Sequence, residues 1–233
     1  LQHTIAGRDK LYSVIAHDLR SPMGSIKMVL NMMILNLPVE KIGSEMYELL
    51  TMANQTTEDV FSLLDNLLKW TKSQIGNLNV VYQDIDVVEV VDSVIDVFNI
   101  VAGLKKITIR EEKTEKLPVS ADIDMLKTVI RNLLSNAIKF SNENSEVVMK
   151  MEEQGDMAVI SVKDNGCGID EEGQKKLLHT DTHFSTFGTN NEEGSGLGLL
   201  LCQDFVVKNG GKLWFTSKKG EGSTFYFSVP LKK

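Results

Sequence analysis

A heptad pattern of apolar residues in the first third of the chain constrains the fold more than any other feature. The apolar positions step by four and three residues along two stretches. They are Ile15, Leu19, Pro22, Ile26, Val29 and Met33 in the first stretch and Met46, Leu50, Ala53, Thr57, Val60, Leu64 and Leu67 in the second. Such a repeat predicts long helices that pack along a shared seam. Because Pro38 and Gly43 break the pattern at residues 36–43, we expect an antiparallel hairpin of helices over residues 4–35 and 44–73.

The apolar surface of this hairpin is wider than two helices can bury. Leu49, Leu63 and Trp70 extend it beyond the heptad seam. Pairing with a second copy would cover the surface in a four-helix bundle, so we expect a homodimer through residues 4–73. The alternative is an intramolecular coiled-coil arm whose apolar face stays in water.

His17 lies on the first helix but points away from its seam. At 100° per residue it is about 200° from both Ile15 and Leu19. Asp18 follows it, and we expect Pro22 to kink the helix. A carboxylate can accept the Nδ1 proton of a histidine and leave Nε2 free as a nucleophile. The segment therefore indicates a histidine that attacks a substrate, and the alternative is a structural or idle surface histidine.

Composition excludes several classes of protein. The chain has 233 residues, a net charge of −7 and no basic stretch, so general nucleic-acid binding is not expected. No apolar run approaches the roughly 20 residues of a membrane-spanning helix. Cys167 and Cys202 lack metal-ligand spacing, and His179 and His183 fall in a polar loop, so we expect reduced thiols and no zinc. The chain starts at Leu1, and we expect a fragment of a longer protein with a sensor or membrane segment upstream.

The pattern changes to alternating strands and helices after a polar linker at residues 74–79. Strands are predicted at residues 80–86, 106–111, 147–152, 157–163, 213–217 and 223–229, and helices at 87–104 and 123–139. Asp86 and Asp122 stand where N-caps belong. Hairpins with helices between them predict an α+β sandwich, with a layer of helices on one face of a mixed sheet. The chain is therefore multidomain, with the hairpin over residues 1–73 and this fold over residues 80–233.

Two stretches of the second domain suggest cofactor chemistry. Asn132, Asn136 and Lys139 share one helix face, where amide oxygens can bind Mg²⁺ and the lysine can neutralise phosphate. The run Asp164-Asn165-Gly166-Cys167-Gly168-Ile169 follows a predicted strand, and its carboxylate can accept a hydrogen bond from an exocyclic amine. An ordinary polar helix face and an ordinary turn are the alternatives.

Two glycine-rich stretches complete the set. Gly194-Ser195-Gly196-Leu197-Gly198 opens an apolar helix, where backbone N–H groups can meet phosphate oxygens. The polar loop before it, residues 179–193, is expected to close over a nucleotide as a lid. Gly222-Ser223-Thr224 lies on the last hairpin, where Thr224 is expected to reach the base. A plain helix start and a plain hairpin are the alternatives.

Together with residues 17–22, His-Asp-Leu-Arg-Ser-Pro, these four stretches resemble the phosphoacceptor box and the N, G1, G2 and G3 boxes of sensor histidine kinases. The resemblance covers essentially the whole chain. It implies the ATPase fold that these kinases share with gyrase, heat-shock-chaperone and mismatch-repair ATPases. Residues 67–74 are also similar to the hairpin exit of hybrid sensor kinases.

The resemblance implies a role for each matching residue. His17 would accept the γ-phosphoryl group of ATP, with Asp18 orienting it. Asn136 would hold Mg²⁺ with help from Asn132, and Asp164 would bind the adenine amine. The other residues that the resemblance assigns to the cofactor are Lys139, Phe140, Gly166, Gly168, Ile169, Gly194, Gly196, Leu197, Gly198 and Thr224.

The resemblance also implies partners and a location. The phosphoryl group would pass to an aspartate on a response-regulator receiver domain, and the chain would be the cytoplasmic part of a membrane-anchored bacterial sensor with no membrane contact of its own.

The sequence departs from the family pattern at two places. The lid has Phe184 and Phe187 but lacks the proline usual between them, and Ser21 replaces the Thr or Asn of relatives that act as phosphatases. A nucleotide-binding scaffold without chemistry and a gyrase-like ATPase that hydrolyses ATP are the competing functions.

Overall fold

The computed structural model describes residues 2–37, 39–74, 79–177, 188–189 and 197–232. The chain divides into two compact units, Leu1–Asn79 and Val80–Lys233. The first unit contains helices α1 (Gln2–Asn36), α2 (Val39–Ile42) and α3 (Ser44–Gln74). The second unit contains, in order, β1 (Gln83–Asp86), α4 (Val87–Leu104), β2 (Thr108–Glu112), β3 (Pro118–Ala121), α5 (Ile123–Phe140), β4 (Glu146–Gln154), β5 (Met157–Lys163), α6 (Glu171–Lys176), α7 (Leu197–Lys208), β6 (Leu213–Lys218) and β7 (Gly222–Pro230).

Helices α1 and α3 pack side by side as an antiparallel hairpin. Arg20 forms an ion pair with Asp65, and Gly24 lies against the ring of Phe61, so residue numbers rise on one helix as they fall on the other. The hairpin core is small: Leu64 and Leu68 are buried, with Met23, Val60 and Leu67 packed against them. Helix α1 continues through Pro22, and a kink there stays a prediction. The predicted break at residues 36–43 contains the single turn α2.

The heptad seam of α1 lies outside this small core. The exposed fraction is 46% for Leu19, 48% for Ile26 and 52% for Val29. Met46 and Leu49 of α3 are similarly exposed, at 51% and 53%. The hairpin alone therefore leaves the α1 part of the predicted seam, and the start of α3, in contact with water, whereas Val60, Leu64 and Leu67 of the α3 part lie in the core.

The second unit is built on a five-stranded mixed sheet. Its strand order is β2-β4-β5-β7-β6, with β2 parallel to β4 and every other pair antiparallel. Helices α4 and α7 each pack on α5, and all three helices contact the strands. Alternate residues of β7, namely Phe225, Phe227 and Val229, are buried in the core, as expected for a strand with one face against helices. The mixed α/β character of this unit is thereby confirmed.

Local signals fix the helix starts of this unit. Asp86 accepts a hydrogen bond from the Val88 N–H and caps α4, and Asp122 accepts from the Asp124 and Met125 N–H groups and caps α5. Both predicted caps are confirmed. The strand predicted at 80–86 begins only at Gln83, and β3, its partner in a separate two-stranded sheet, was not predicted. Within the described residues, no helix combines the length and the hydropathy needed to cross a bilayer.

Candidate active site

Asp164 is a buried carboxylate held at the end of β5. Its Oδ1 accepts hydrogen bonds from the N–H groups of Gly166, at 2.9 Å, and Ser223, at 3.1 Å. Burial raises the pKa of the carboxyl group above its usual value, although these two N–H groups act in the opposite direction. A desolvated carboxylate with one oxygen engaged by the backbone is suited to accept a hydrogen bond from a ligand amine through the other oxygen.

The loop after Asp164 lies directly against the end of α5. A Cβ atom on Gly166 would overlap the carbonyl group of Phe140, and that carbonyl accepts a hydrogen bond of 3.3 Å from the Cys167 N–H. Only glycine permits this approach between two backbones. The contact brings the Asp164 loop and the helix of Asn132 and Asn136 into one site, although the two motifs are 24 or more residues apart in sequence.

The same loop is fastened to the turn between β6 and β7. Gly168 has a φ of 61° and lies so close to the Lys218 carbonyl that a Cβ would overlap it. The Ile169 N–H donates to Ser217 Oγ at 2.8 Å, and the Gly220 N–H donates to the Cys167 carbonyl at 2.7 Å. The two glycines therefore allow the loop to lie directly against the backbone at Phe140 on one side and at Lys218 on the other.

Thr224 does not share the face of Asp164. Strand pairing places Thr224 opposite Lys163 and Thr216, whereas the backbone of Asp164 pairs with Ser223. Because side chains alternate between the two faces of a strand, Ser223 and Asp164 lie on one face and Thr224 on the other. A base contact from Thr224 stays a prediction, and the geometry favours Ser223. The pairing of β5 with β7, which the sequence does not give, is what identifies Ser223.

Asn132 lies on α5, on the side that faces the start of α7. Its Nδ2 donates to the Thr128 carbonyl at 3.0 Å, and the buried Cys202 thiol of α7 donates to the Val129 carbonyl of α5 at 3.9 Å. A Cβ on Gly198 would be 3.0 Å from Asn132 Oδ1. Burial raises the pKa of the Cys202 thiol, which keeps it protonated. Asn132 thus joins the two helices, and a contribution to Mg²⁺ binding stays a prediction.

Asn136 and Lys139 follow on the last turns of α5, and both are partly buried. Lys139 Nζ lies 5.2 Å from the centroid of the Phe140 ring. Leu197 and Gly198 form the first turn of α7. The structure therefore brings Asn132, Phe140, Asp164, Gly166, Gly168, Ile169 and Gly198 into one connected region.

Several predicted residues lie outside the part of the chain that the structure describes. They are Gly194, Gly196, Phe184, Phe187, His179 and His183. His17 and Asp18 lie on α1, but their side chains are outside the described part. Their predicted roles stay predictions.

The residues of the site fit a magnesium nucleotide. Asp164 supplies an acceptor for an amine, and the glycines supply close backbone approach. No cluster of three or more His, Cys, Asp or Glu side chains that could hold a metal occurs among the described residues. Mg²⁺ often takes only one or two protein oxygens and completes its shell with phosphates and water, so the Asn136 amide oxygen is a fitting ligand.

Comparison with known proteins agrees with this geometry. Residues 121–233 match the family described as histidine kinase-, DNA gyrase B-, and HSP90-like ATPases. The chain is 29% identical to the adaptive-response sensory kinase SasA of Crocosphaera subtropica, over 99% of this chain and 61% of that protein. It is 27% identical to the sensor histidine kinase WalK of Bacillus subtilis, over 97% of this chain and 37% of that protein. The chain thus spans less than two thirds of either relative.

A solved structure shares the fold. The crystal structure of full-length ShkA in complex with AMPPNP has a TM-score of 0.72 and 20% identity, covering 96% of this chain and 46% of that one. The fold, the matched ATPase region and the similarity to sensor histidine kinases along nearly the whole chain agree with one another. Residues 121–233 thus resemble the histidine kinase-, DNA gyrase B-, and HSP90-like ATPases, and relatives that match nearly the whole chain are named as sensory kinases, which supports a histidine kinase catalytic core.

Proposed function

We propose that this core transfers the γ-phosphoryl group of Mg-ATP to His17 and then to an aspartate of a response-regulator receiver domain, as part of two-component signal transduction. One observation carries the proposal: the buried Asp164 carboxylate and its glycine loop are fastened to the end of α5, the helix of Asn136. This arrangement supports adenine and magnesium binding at one site, in a chain that also has a histidine beside a carboxylate on α1.

The proposed chemistry is an in-line displacement. Bound Mg-ATP supplies the phosphoryl group that is transferred. Asp18 holds the Nδ1 proton of His17, so the Nε2 lone pair is free to form the new P–N bond while the bond from phosphorus to the bridging oxygen of ADP breaks. Asp164 binds the adenine amine, Asn136 holds Mg²⁺ and Lys139 neutralises phosphate charge. Positioning and charge neutralisation carry most of the catalysis in reactions of this type.

The proposed assembly is a homodimer through residues 4–73. The half-exposed seam of Leu19, Ile26 and Val29 supports it, because a second hairpin would bury these side chains in a four-helix bundle. We also propose that residues 74–79 are the linker between a phosphoacceptor hairpin and the ATP-binding domain. Three further points stay predictions from the sequence. They are a place in the cytoplasmic part of a membrane-anchored sensor, a hybrid architecture, and phosphatase activity through Ser21.

The test is incubation of the chain with Mg²⁺ and ATP labelled at the γ-phosphate, beside the His17→Gln variant. The wild type is expected to take up label that acid removes and base does not, which is the behaviour of phosphohistidine. The variant should bind ATP with unchanged affinity and take no label. Label on both proteins would contradict the assignment of His17. Rapid release of labelled phosphate with no labelled protein would favour the gyrase-like ATPase, and binding alone would favour the scaffold.

A further inference from the structure

Lys105 is a buried lysine at the C-terminal end of α4, with 7% of its surface exposed. Its Nζ donates hydrogen bonds to the carbonyl groups of Ile138, at 3.1 Å, and Lys139, at 2.9 Å. It also donates to Thr189 Oγ1 at 2.6 Å. An ammonium group at this depth is stable only with such partners, and the negative end of the α5 dipole adds to their effect.

Thr189 lies between α6 and α7 in the chain and binds the same end of α5. Its N–H donates to the Lys139 carbonyl at 3.2 Å. Its hydroxyl group, which accepts the bond from Lys105, lies 2.8 Å from the Ser141 carbonyl and donates to it. We call this set the Lys105 clamp: Lys105, Thr189 and the backbone carbonyls of residues 138, 139 and 141.

The clamp adjoins the candidate site through α5. Its carbonyl acceptors flank Phe140, whose own carbonyl contacts Gly166 and accepts from the Cys167 N–H. Asn136 and Lys139 lie on the same last turns of α5. A displacement of this turn would therefore move the proposed magnesium and phosphate ligands and the Asp164 loop together.

We propose that Lys105 is a positioning residue of the nucleotide site, whose buried ammonium holds Thr189 and the last turn of α5 in the one arrangement that binds ATP. The inference rests on the proposed function, because it assumes that this site binds ATP. It adds Lys105, which lies outside the motifs identified in the sequence, and it assigns Thr189 an anchoring role.

The experiment measures the affinity for Mg-ATP in the full chain carrying His17→Gln, which prevents phosphoryl transfer. Lys105→Met keeps the alkyl stem and removes the ammonium, and it should weaken binding by about tenfold, as expected for loss of hydrogen bonds from a charged donor. Thr189→Val should weaken ATP binding by about threefold. Thr189→Ser keeps the hydroxyl group and should therefore bind ATP as tightly as the parent chain. The double variant should bind about as weakly as Lys105→Met alone, because both changes break one network.

Lys106→Met is the matched control, since it removes the same charge from the neighbouring, exposed position. Amide hydrogen exchange separates positioning from general destabilisation: in Lys105→Met the Thr189 N–H should lose protection while the sheet amides keep theirs. Unchanged ATP affinity in both Lys105→Met and Thr189→Val would overturn the inference. Should Lys105→Met fail to fold, Thr189→Val and Thr189→Ser decide alone. Absence of ATP binding in the parent chain would instead refute the proposed function.

Discussion

The two units of this chain differ in how completely each buries its own apolar residues. Within the described part of the chain, Leu64 and Leu68 are the only buried hydrophobic residues of the hairpin, while every other one belongs to the second unit. The hairpin instead exposes Leu19, Ile26 and Val29 to about half of their surface. Burial of apolar surface is the main source of folding stability, at roughly 25 cal/mol per Å². The second unit, which itself exposes Ile100 and Leu104, has the larger core, whereas the described part of the hairpin leaves its α1 seam exposed.

This difference in burial indicates a division of function between the two units, with ligand binding in the second unit and assembly in the hairpin. A self-contained core can hold the Asp164 carboxylate and the close backbone contacts of the glycine loop with the precision that ligand binding requires. A hairpin with an open apolar seam is suited to assembly and to presenting a side chain on a rigid helix. If the division holds, changes in the second unit should alter ATP binding and leave assembly intact, and changes in the hairpin should do the reverse.

The largest effect is expected from Asp164→Asn, which should weaken ATP binding by more than about a hundredfold. The asparagine keeps an oxygen for the Gly166 and Ser223 N–H groups, but it replaces the second acceptor oxygen with a donor that opposes the adenine amine. Titration with Mg-ATP measures the loss, and sedimentation should show the same oligomeric state as the wild type. Tight ATP binding by this variant would refute the adenine assignment.

Ile26→Asp tests the hairpin alone. A carboxylate buried in each half of the bundle should raise the dimer dissociation constant by more than about tenfold. Met28→Asp is the control, because Met28 is 59% exposed and lies about 200° around the helix from Ile26. Analytical ultracentrifugation distinguishes the two variants. A dimer that tolerates Ile26→Asp, or a wild-type chain that is monomeric, would contradict the bundle, and ATP affinity should be unchanged throughout.

Gly168→Ala tests the close contacts of the second unit. The new methyl group would overlap the Lys218 carbonyl at a φ of 61°, and the free energy of unfolding should fall by about 2 kcal/mol or more. Gly155→Ala is the matched control, since Gly155 has a φ of 65° and open space around it, and it should cost only about 1 kcal/mol. Urea unfolding measures both. Equal losses would mean that the loop is not held against the β6–β7 turn.

The smallest effect concerns pH. Burial raises the pKa of Asp164, so the folded chain binds this proton more tightly than the unfolded chain does. The free energy of unfolding therefore falls as pH rises from 3.8, the ordinary pKa of the carboxyl group, through its raised pKa in the folded chain. At higher pH the stabilising contribution of this proton is lost completely. Without nucleotide, Asp164→Asn should gain stability relative to the wild type as pH rises above the ordinary carboxyl value of 3.8 and through the raised pKa. A difference that does not change with pH would contradict the burial of the charged group.

Sequence patterns predicted the parts of the fold that depend on local signals. The caps at Asp86 and Asp122 and the hairpins of β4 with β5 and β6 with β7 follow from residues near one another in the chain. Strand β3 and helix α6 were not predicted, because each is short and has no strong periodicity. Pairing of β1 with β3 joins residues more than 30 positions apart, which a local pattern does not encode.

The sequence motifs predicted several residues of the candidate site, but they did not predict how the side chains are arranged. Asp164 and the glycines stand out by residue type, but the choice between Ser223 and Thr224 depends on strand register. Lys105 gave no signal at all, since a lysine beside Lys106 resembles an ordinary charged surface pair until the fold buries it against α5.

We expect ATP binding to belong to the second unit and phosphoryl acceptance to the first. The most direct measurement adds γ-labelled Mg-ATP to residues 80–233 alone and then to an equimolar mixture with residues 1–79. The account predicts that residues 80–233 bind ATP with about the affinity of the whole chain and take no label, and that the mixture labels residues 1–79 only. Label on residues 80–233, or loss of ATP binding when the hairpin is removed, would contradict it.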